Sequence, residues 1–177
     1  MARRLMIGLL LTAVTVTGCG GGGDKDTSSD GTAVAWAGKV CASAKANLAK
    51  AKMPQMDSKD PVTSRKNVVD YLGTASTQLQ TLETSLKAQG APPVANGQAA
   101  LDSALGKVTA ARDSVEAAKD KLSKAKVTDG KSLSMALSAS SSGVTAYTAY
   151  AGAGPAADLK AVPELADAFA KAPECKA

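Results

Sequence analysis

The sequence predicts an all-α fold, an antiparallel up-and-down bundle of four main helices closed by a short C-terminal helix. Three observations carry that expectation. Val68, Leu72, Ala75, Leu79, Leu82 and Leu86 recur in alternating steps of four and three, the spacing that lines up one face of an α-helix. Alanine is abundant while aromatic residues make up only 3% of the chain, which suits close-packed helices better than sheets built on aromatic and β-branched side chains. Proline and glycine gather at Met53-Pro54, from Gly90 to Pro93, at Asp129-Gly130 and from Gly152 to Pro155, dividing the chain into helix-length pieces.

The first helix is expected over about residues 33–52, with Trp36, Val40, Ala44 and Leu48 on its apolar face, Cys41 beside them and Met53-Pro54 as its stop. Asp60-Pro61 reads as an N-cap followed by proline at the first helical position, where the missing N–H costs nothing. The leucine stripe then predicts a second helix of about 29 residues, ~43 Å long, ended by Gly90 and Pro92-Pro93. A third helix starts between Pro93 and Gly97 and turns Leu101, Leu105, Val108, Ala111, Val115, Ala118 and Leu122 to one face. Its length matches the second, as an antiparallel hairpin requires. Arg112-Asp113, Glu116 and the lysines from Lys119 to Lys126 lie mostly off that face and read as solvated surface, with Glu116–Lys119 and Asp120–Lys124 as pairs. After a turn at Thr128-Asp129-Gly130, the positions Leu133, Leu137, Ser140, Val144, Tyr147 and Ala151 predict a fourth helix over about residues 131–151. The small residues from Ser138 to Gly143 either let a neighbour approach closely or line a shallow cleft. A final short helix follows Gly154-Pro155, with Pro163 at the start of its second part and Val162, Leu165 and Phe169 as its apolar edge. A long two-stranded coiled coil is the competing architecture, and the turns on either side of the stripe favour the bundle.

The N-terminal stretch has a different logic. Arg3 and Arg4 precede an apolar run from Leu5 to Val16, shorter than the ~20 residues a membrane-spanning helix needs. Basic start, short apolar run and small residues are the order of an export signal. Val16-Thr17-Gly18-Cys19 resembles the lipobox of bacterial lipoproteins, in which a branched apolar residue and two small ones precede the lipid-carrying cysteine. The resemblance implies that residues 1–18 are removed as a signal peptide and that the Cys19 thiol carries a diacylglyceryl group. It also implies a mature chain held on the extracytoplasmic face of the cell membrane. Two or three acyl chains anchor stably at ~0.8 kcal/mol per buried methylene. An ordinary secretory signal with a chance cysteine is the plainer alternative. Residues 19–32 continue as Cys19 and GGGGDKDTSSDGT, without a large apolar side chain. They read as a flexible tether that holds the bundle, residues 33–177, roughly 20 Å from the lipid. The layout of the whole mature chain is similar to small alanine-rich lipoproteins of actinobacteria, a resemblance that implies no activity.

With Cys19 assigned to lipid, Cys41 and Cys175 remain, in a compartment where disulfides persist. A bridge between them would tie the first helix to the C-terminal tail, and closing so long a loop is worth at most about 5 kcal/mol. A buried free Cys41 or an intermolecular link through Cys175 are the alternatives. A redox role lacks the close Cys-x-x-Cys spacing it needs.

Chemistry is sparse. Histidine is absent, which removes the commonest general base and the commonest metal ligand together. No nucleophile elbow, phosphate loop, dinucleotide fingerprint or haem-attachment motif occurs. Ser43-Ala44-Lys45 and Ser123-Lys124 are too generic to mark a serine–lysine pair. Asp24, Asp26 and Asp30 resemble a fragment of a calcium loop without its closing glutamate, and read as solubilising charge. Tyr147 is expected in the core and Tyr150 at its border, in preference to stacking on a ligand or binding haem iron. No catalytic, cofactor-binding or metal-ligating residue is therefore expected, and no cofactor. Loss of Arg3 and Arg4 lowers the excess of 21 basic over 16 acidic residues to +3, with no basic block, so nucleic acid is not an expected partner. The expectation is a monomeric, non-catalytic module that meets the membrane through Cys19 and an envelope protein or cell-wall component through its helices. A carrier of a small apolar or metal-bearing ligand between the second, third and fourth helices is the alternative, and an enzyme ranks third.

Overall fold

The computed structural model describes residues 29–48 and 52–176, and these are all-helical, with no strand among them. The helices are α1 (Ser29–Leu48), α2 (Pro61–Gln89), α3 (Gly97–Lys124), α4 (Gly130–Ala139), α5 (Ser141–Leu159) and α6 (Pro163–Lys171), followed by a 3-10 turn at Pro173–Cys175. They form a helical bundle around one continuous apolar core.

α2 is built as its sequence dictates. The Asp60 carboxylate accepts the Thr63 N–H at 3.0 Å, Pro61 takes the first helical position, and Gly90 ends the helix in a left-handed conformation (φ 69°) that glycine adopts without strain. The six residues of the leucine stripe are all buried. α3 returns along α2. Arg65 donates to the carbonyls of Ser123 and Ala125, the Ser76 hydroxyl donates to Glu116 and Arg112 donates to Glu83. Positions on α3 therefore fall as positions on α2 rise, which makes the pair an antiparallel hairpin. Of the expected third-helix face, Leu105 is half-buried and the other six residues are buried.

Two polar contacts differ from the surface reading. Glu83 is 8% exposed and is held by Arg112 at 2.7 Å and by Lys87 at 2.6 Å. A charge so placed needs its partners, because desolvation without pairing is costly. Glu116 is engaged by Ser76 across the hairpin at 2.9 Å rather than by Lys119 along its own helix, whereas Asp120–Lys124 does pair, at 3.8 Å.

Two element boundaries also differ. α1 runs from Ser29 to Leu48, so residues 29–32, expected in the tether, form its first turn. Ala33 and Trp36 are buried directly after that turn, and packing of this face outweighs the weak local propensity of Asp30 and Gly31. The expected fourth helix is two helices. Ser140 (φ −109°, ψ 2°) directs its N–H to the carbonyls of both Leu137 and Ser138 and closes α4. α5 then lies directly on α3: a Cβ on Gly143 would stand 2.3 Å from Ala118 Cβ and 2.8 Å from the Ser114 carbonyl oxygen. The small-residue segment thus serves close packing. Gly154-Pro155 breaks the helix as expected, so that Ser141–Leu159 is two helical pieces meeting at a kink. Gly154 adopts φ 59° and ψ −179°, and proline follows where a restarted helix accepts it.

α1 spans the C-terminal half of α2. At one end the Trp36 indole N–H donates to the Gly90 carbonyl at 3.0 Å, and Phe169 of α6 meets the Trp36 ring edge-on at 6.4 Å. At the other end Tyr147 of α5, 2% exposed, donates to the Leu48 carbonyl at 3.2 Å and meets the Gln78 side-chain amide. A phenol has one proton, so both contacts are satisfied when Gln78 is oriented to donate through Nε2. Tyr71 packs edge-on against the Tyr147 ring at 5.9 Å. The apolar edge of α6 is buried at Leu165 and Phe169.

Replacing Gly143 with Ala forces α5 away from α3. The expected loss is about 1–3 kcal/mol, in line with overpacked interiors, read as a lower urea midpoint at an unchanged slope.

Candidate functional site

Small residues on α1 prepare a seat for the C-terminus. Ala37 and Val40 are fully buried, and a Cβ on Gly38 would come within 2.5 Å of a Glu174 carboxylate oxygen, so the Pro173–Cys175 turn lies on the glycine. There the sulfurs of Cys41 and Cys175 stand 2.07 Å apart, with Cα atoms 5.2 Å apart, at disulfide distance. The pair expected to join the first helix to the C-terminal tail is thus brought together. Cys19, the lipobox, Asp24, Asp26 and the tether as far as residue 28 lie outside the described residues.

Two clefts flank α1. One, of about 430 Å3, lies between Ala33 and Val34 of α1, the connection Pro93 to Ala95, and Glu164, Asp167 and Lys171 of α6. The other, of about 350 Å3, lies beside the cysteine pair, between Ala44, Lys45 and Leu48 of α1 and the kinked part of α5 at Gly152, Gly154 and Ala156, with Lys160 at its edge. Neither occupies the space between α2, α3 and the α4–α5 segment, where a carried ligand was expected. Leu72, Leu79, Leu82, Val108, Val115 and Leu122 fill that interior and are fully buried.

The residues weighed for chemistry do not converge. Neither Tyr147 nor Tyr150 lines either cleft. Tyr147 is a core residue, as expected, and Tyr150 is half-buried at the border. The Tyr150 hydroxyl has no hydrogen-bond partner among the described residues, and burial, reinforced by the Asp158 carboxylate, raises its pKa well above the free-phenol value. Burial also raises Tyr71, and raises Tyr147 with a smaller contribution from Tyr71. The Ser43 hydroxyl accepts from Gln89 and the Ser123 hydroxyl donates to the Asp120 carbonyl, so neither hydroxyl is bonded to a lysine amine. Among the described residues no group of three or more Cys, Asp and Glu side chains could hold a metal ion.

The contact that sequence reasoning missed is Arg112–Glu83. Its signal was present: Glu83 follows the stripe residue Leu79 by four positions and Ser76 by seven, which puts it on the edge of the buried face. No family model, curated protein or solved structure matches the chain.

Replacing Cys41 and Cys175 together by Ala is expected to cost about 2–5 kcal/mol by removing closure of a long loop, measured by urea unfolding of the oxidised parent against the variant. The three tyrosines also predict an alkaline limit. Each has a folded pKa raised above the free-phenol value of 10.0, so the stability they contribute is complete below that pH and falls as pH rises past it. In a titration followed by phenolate absorbance, Tyr ionisation is expected to begin above the free-phenol range and to coincide with loss of helical circular dichroism.

Proposed function

We propose that the chain is a membrane-anchored extracytoplasmic lipoprotein whose helical bundle is a non-catalytic interaction module for an envelope protein or cell-wall component. The observation that carries this reading is cysteine accounting. The chain has three cysteines, Cys41 and Cys175 lie at disulfide distance, and the one left over is Cys19, at the end of a lipobox-like tetrapeptide behind a short apolar run. A paired Cys41–Cys175 suits an oxidising compartment beyond the membrane. Among the described residues no helix is long and apolar enough to cross a membrane, so attachment on this reading is through acyl chains.

The bundle is read as antiparallel and up-and-down, with α1, α2, α3 and the α4–α5 segment as its four members. Pairwise registers support that arrangement. Trp36 lies at Gly90 and Ser43 at Gln89, while Gly143 lies at Ala118 and Asp158 is bonded by Lys107. Positions on one partner fall, or hold, as positions on the other rise. The interaction reading is supported by the filled interior and by the absence of histidine, which leaves surface contact as the chemistry this composition serves best.

A carrier remains the second reading, favoured by the clefts of about 430 and 350 Å3, which fall within the size range of small-molecule sites.

Intact mass analysis of protein extracted from its native membrane tests both. The expected species begins at Cys19, carries a diacylglyceryl group with or without an N-acyl chain, and is two hydrogens lighter than the reduced chain. A Cys19→Ala variant is expected to lose the acyl mass and the membrane fraction. Unmodified parent protein recovered only from the medium overturns the anchor. A small molecule retained under native ionisation establishes the carrier.

A further inference from the structure

Charge is not spread evenly over the described residues. Residues 52–70 and 119–135 hold nine basic and five acidic side chains, a net +4, whereas the rest of the described chain holds eight basic and nine acidic, a net −1. These two stretches meet at one end of the bundle. Arg65 bonds the carbonyls of Ser123 and Ala125, and a Cβ on Gly130 would lie 3.7 Å from the Ser58 carbonyl oxygen. The acids here are committed locally: Asp57, Asp60 and Asp129 accept backbone N–H groups of Lys59, Thr63 and Ser132, and Asp70 and Asp120 pair with Lys66 and Lys124. Lys52, Lys59, Lys121, Lys126 and Lys131 are exposed and have no ion pair among the described residues.

The same end carries the exposed apolar side chains. Met53 (57% exposed), Met56 (47%), Val62 (51%) and Met135 (59%) are the exposed large hydrophobic residues among those described, and all four fall within these two stretches. None of them lines either cleft.

We propose that this end of the bundle docks on an anionic phospholipid surface, with Met53, Met56, Val62 and Met135 entering the headgroup boundary and the lysines meeting lipid phosphates. Charge complementarity selects an anionic occupant. The form of the surface selects lipid over an acidic protein segment. A helical ligand needs a groove, and both clefts lie elsewhere. Of the nine basic residues eight are lysines, flexible point charges suited to a diffuse layer, and the one arginine is already engaged by backbone carbonyls. Exposed apolar side chains among lysines are the features that peripheral membrane surfaces combine. The docking end is the one remote from the start of α1, and the inference does not depend on acylation of Cys19.

The methionines are internal probes. The full chain is treated with dilute peroxide, alone or with vesicles of phosphatidylglycerol or of phosphatidylcholine, and sulfoxide formation is followed residue by residue by mass spectrometry. Phosphatidylglycerol at low salt is expected to slow oxidation of Met53, Met56 and Met135 several-fold, phosphatidylcholine to leave it unchanged, and high salt to abolish the effect. Insertion of the N-terminal apolar run would protect Met6 with either lipid and is read separately. The variant Lys121→Gln, Lys126→Gln, Lys131→Gln is expected to lose the protection while unfolding cooperatively at the parent urea midpoint. Should it fold poorly, Lys52→Gln with Lys59→Gln, both outside helices, serves in its place. Equal protection by both lipids, no protection by phosphatidylglycerol, or protection that survives the lysine variants overturns the proposal. So does equal protection by soluble polyglutamate, which would assign the surface to an acidic polypeptide.

Discussion

Three helices are brought into register at the hydroxyl of Tyr147. It lies in a largely apolar interior, and the group it serves, the Leu48 carbonyl, is one of the last four of α1, which no intrahelical N–H can reach. A buried polar group left unpaired costs about 1–3 kcal/mol. Sliding α1 by one turn, about 5.4 Å, would strand the phenol, the Gln78 amide and the carbonyl together. Trp36 performs the corresponding service nearer the start of α1, supplying the indole N–H to the carbonyl of Gly90 just beyond α2. α1 is therefore fixed by aromatic donors at Trp36, two turns from its start, and at its last residue. The chain has five aromatic residues, and four of them form the two edge-on pairs at these points, Trp36 with Phe169 and Tyr71 with Tyr147. Scarcity of aromatics had suggested only that the fold is helical; their placement sets which helices meet and where.

Helices that bury a long one-sided stripe were legible. The leucines of α2 and the face of α3 are in the core, and Asp60-Pro61 and Gly90 mark the ends of α2. What was not legible depends on neighbours. The division at Ser140 leaves the spacing of apolar residues almost undisturbed, so periodicity cannot register it. It becomes intelligible only when Gly143 is seen against Ala118. Residues 29–32 have the composition of a linker and become helical because Ala33 and Trp36 pull the following turns into the core. The cysteine pair was anticipated from compartment and counting, whereas the two clefts had no sequence signal, since each is assembled from segments far apart in the chain.

The acids and bases are sorted by a related economy. Carboxylates near the start of α2 and α4 are occupied as helix caps, and capping holds the pKa of Asp60 and of Asp129 below the usual value. Capping concentrates acid function at the backbone and leaves the neighbouring lysines facing solvent. The positive excess itself becomes one-ended because residues 52–70 and 119–135, which hold it, meet in space.

The joining of Cys41 to Cys175 has a mechanical consequence. With the bridge closed, tension applied between the two termini crosses from residue 41 to residue 175 through sulfur and bypasses residues 42–174. The only described helix in series with that load is the part of α1 from Ser29 to Cys41, about three and a half turns at 3.6 residues each. Pulling on the chain would strip those turns and Trp36 from the core and then stop at the sulfurs, with the backbone of residues 42–174 carrying none of the force.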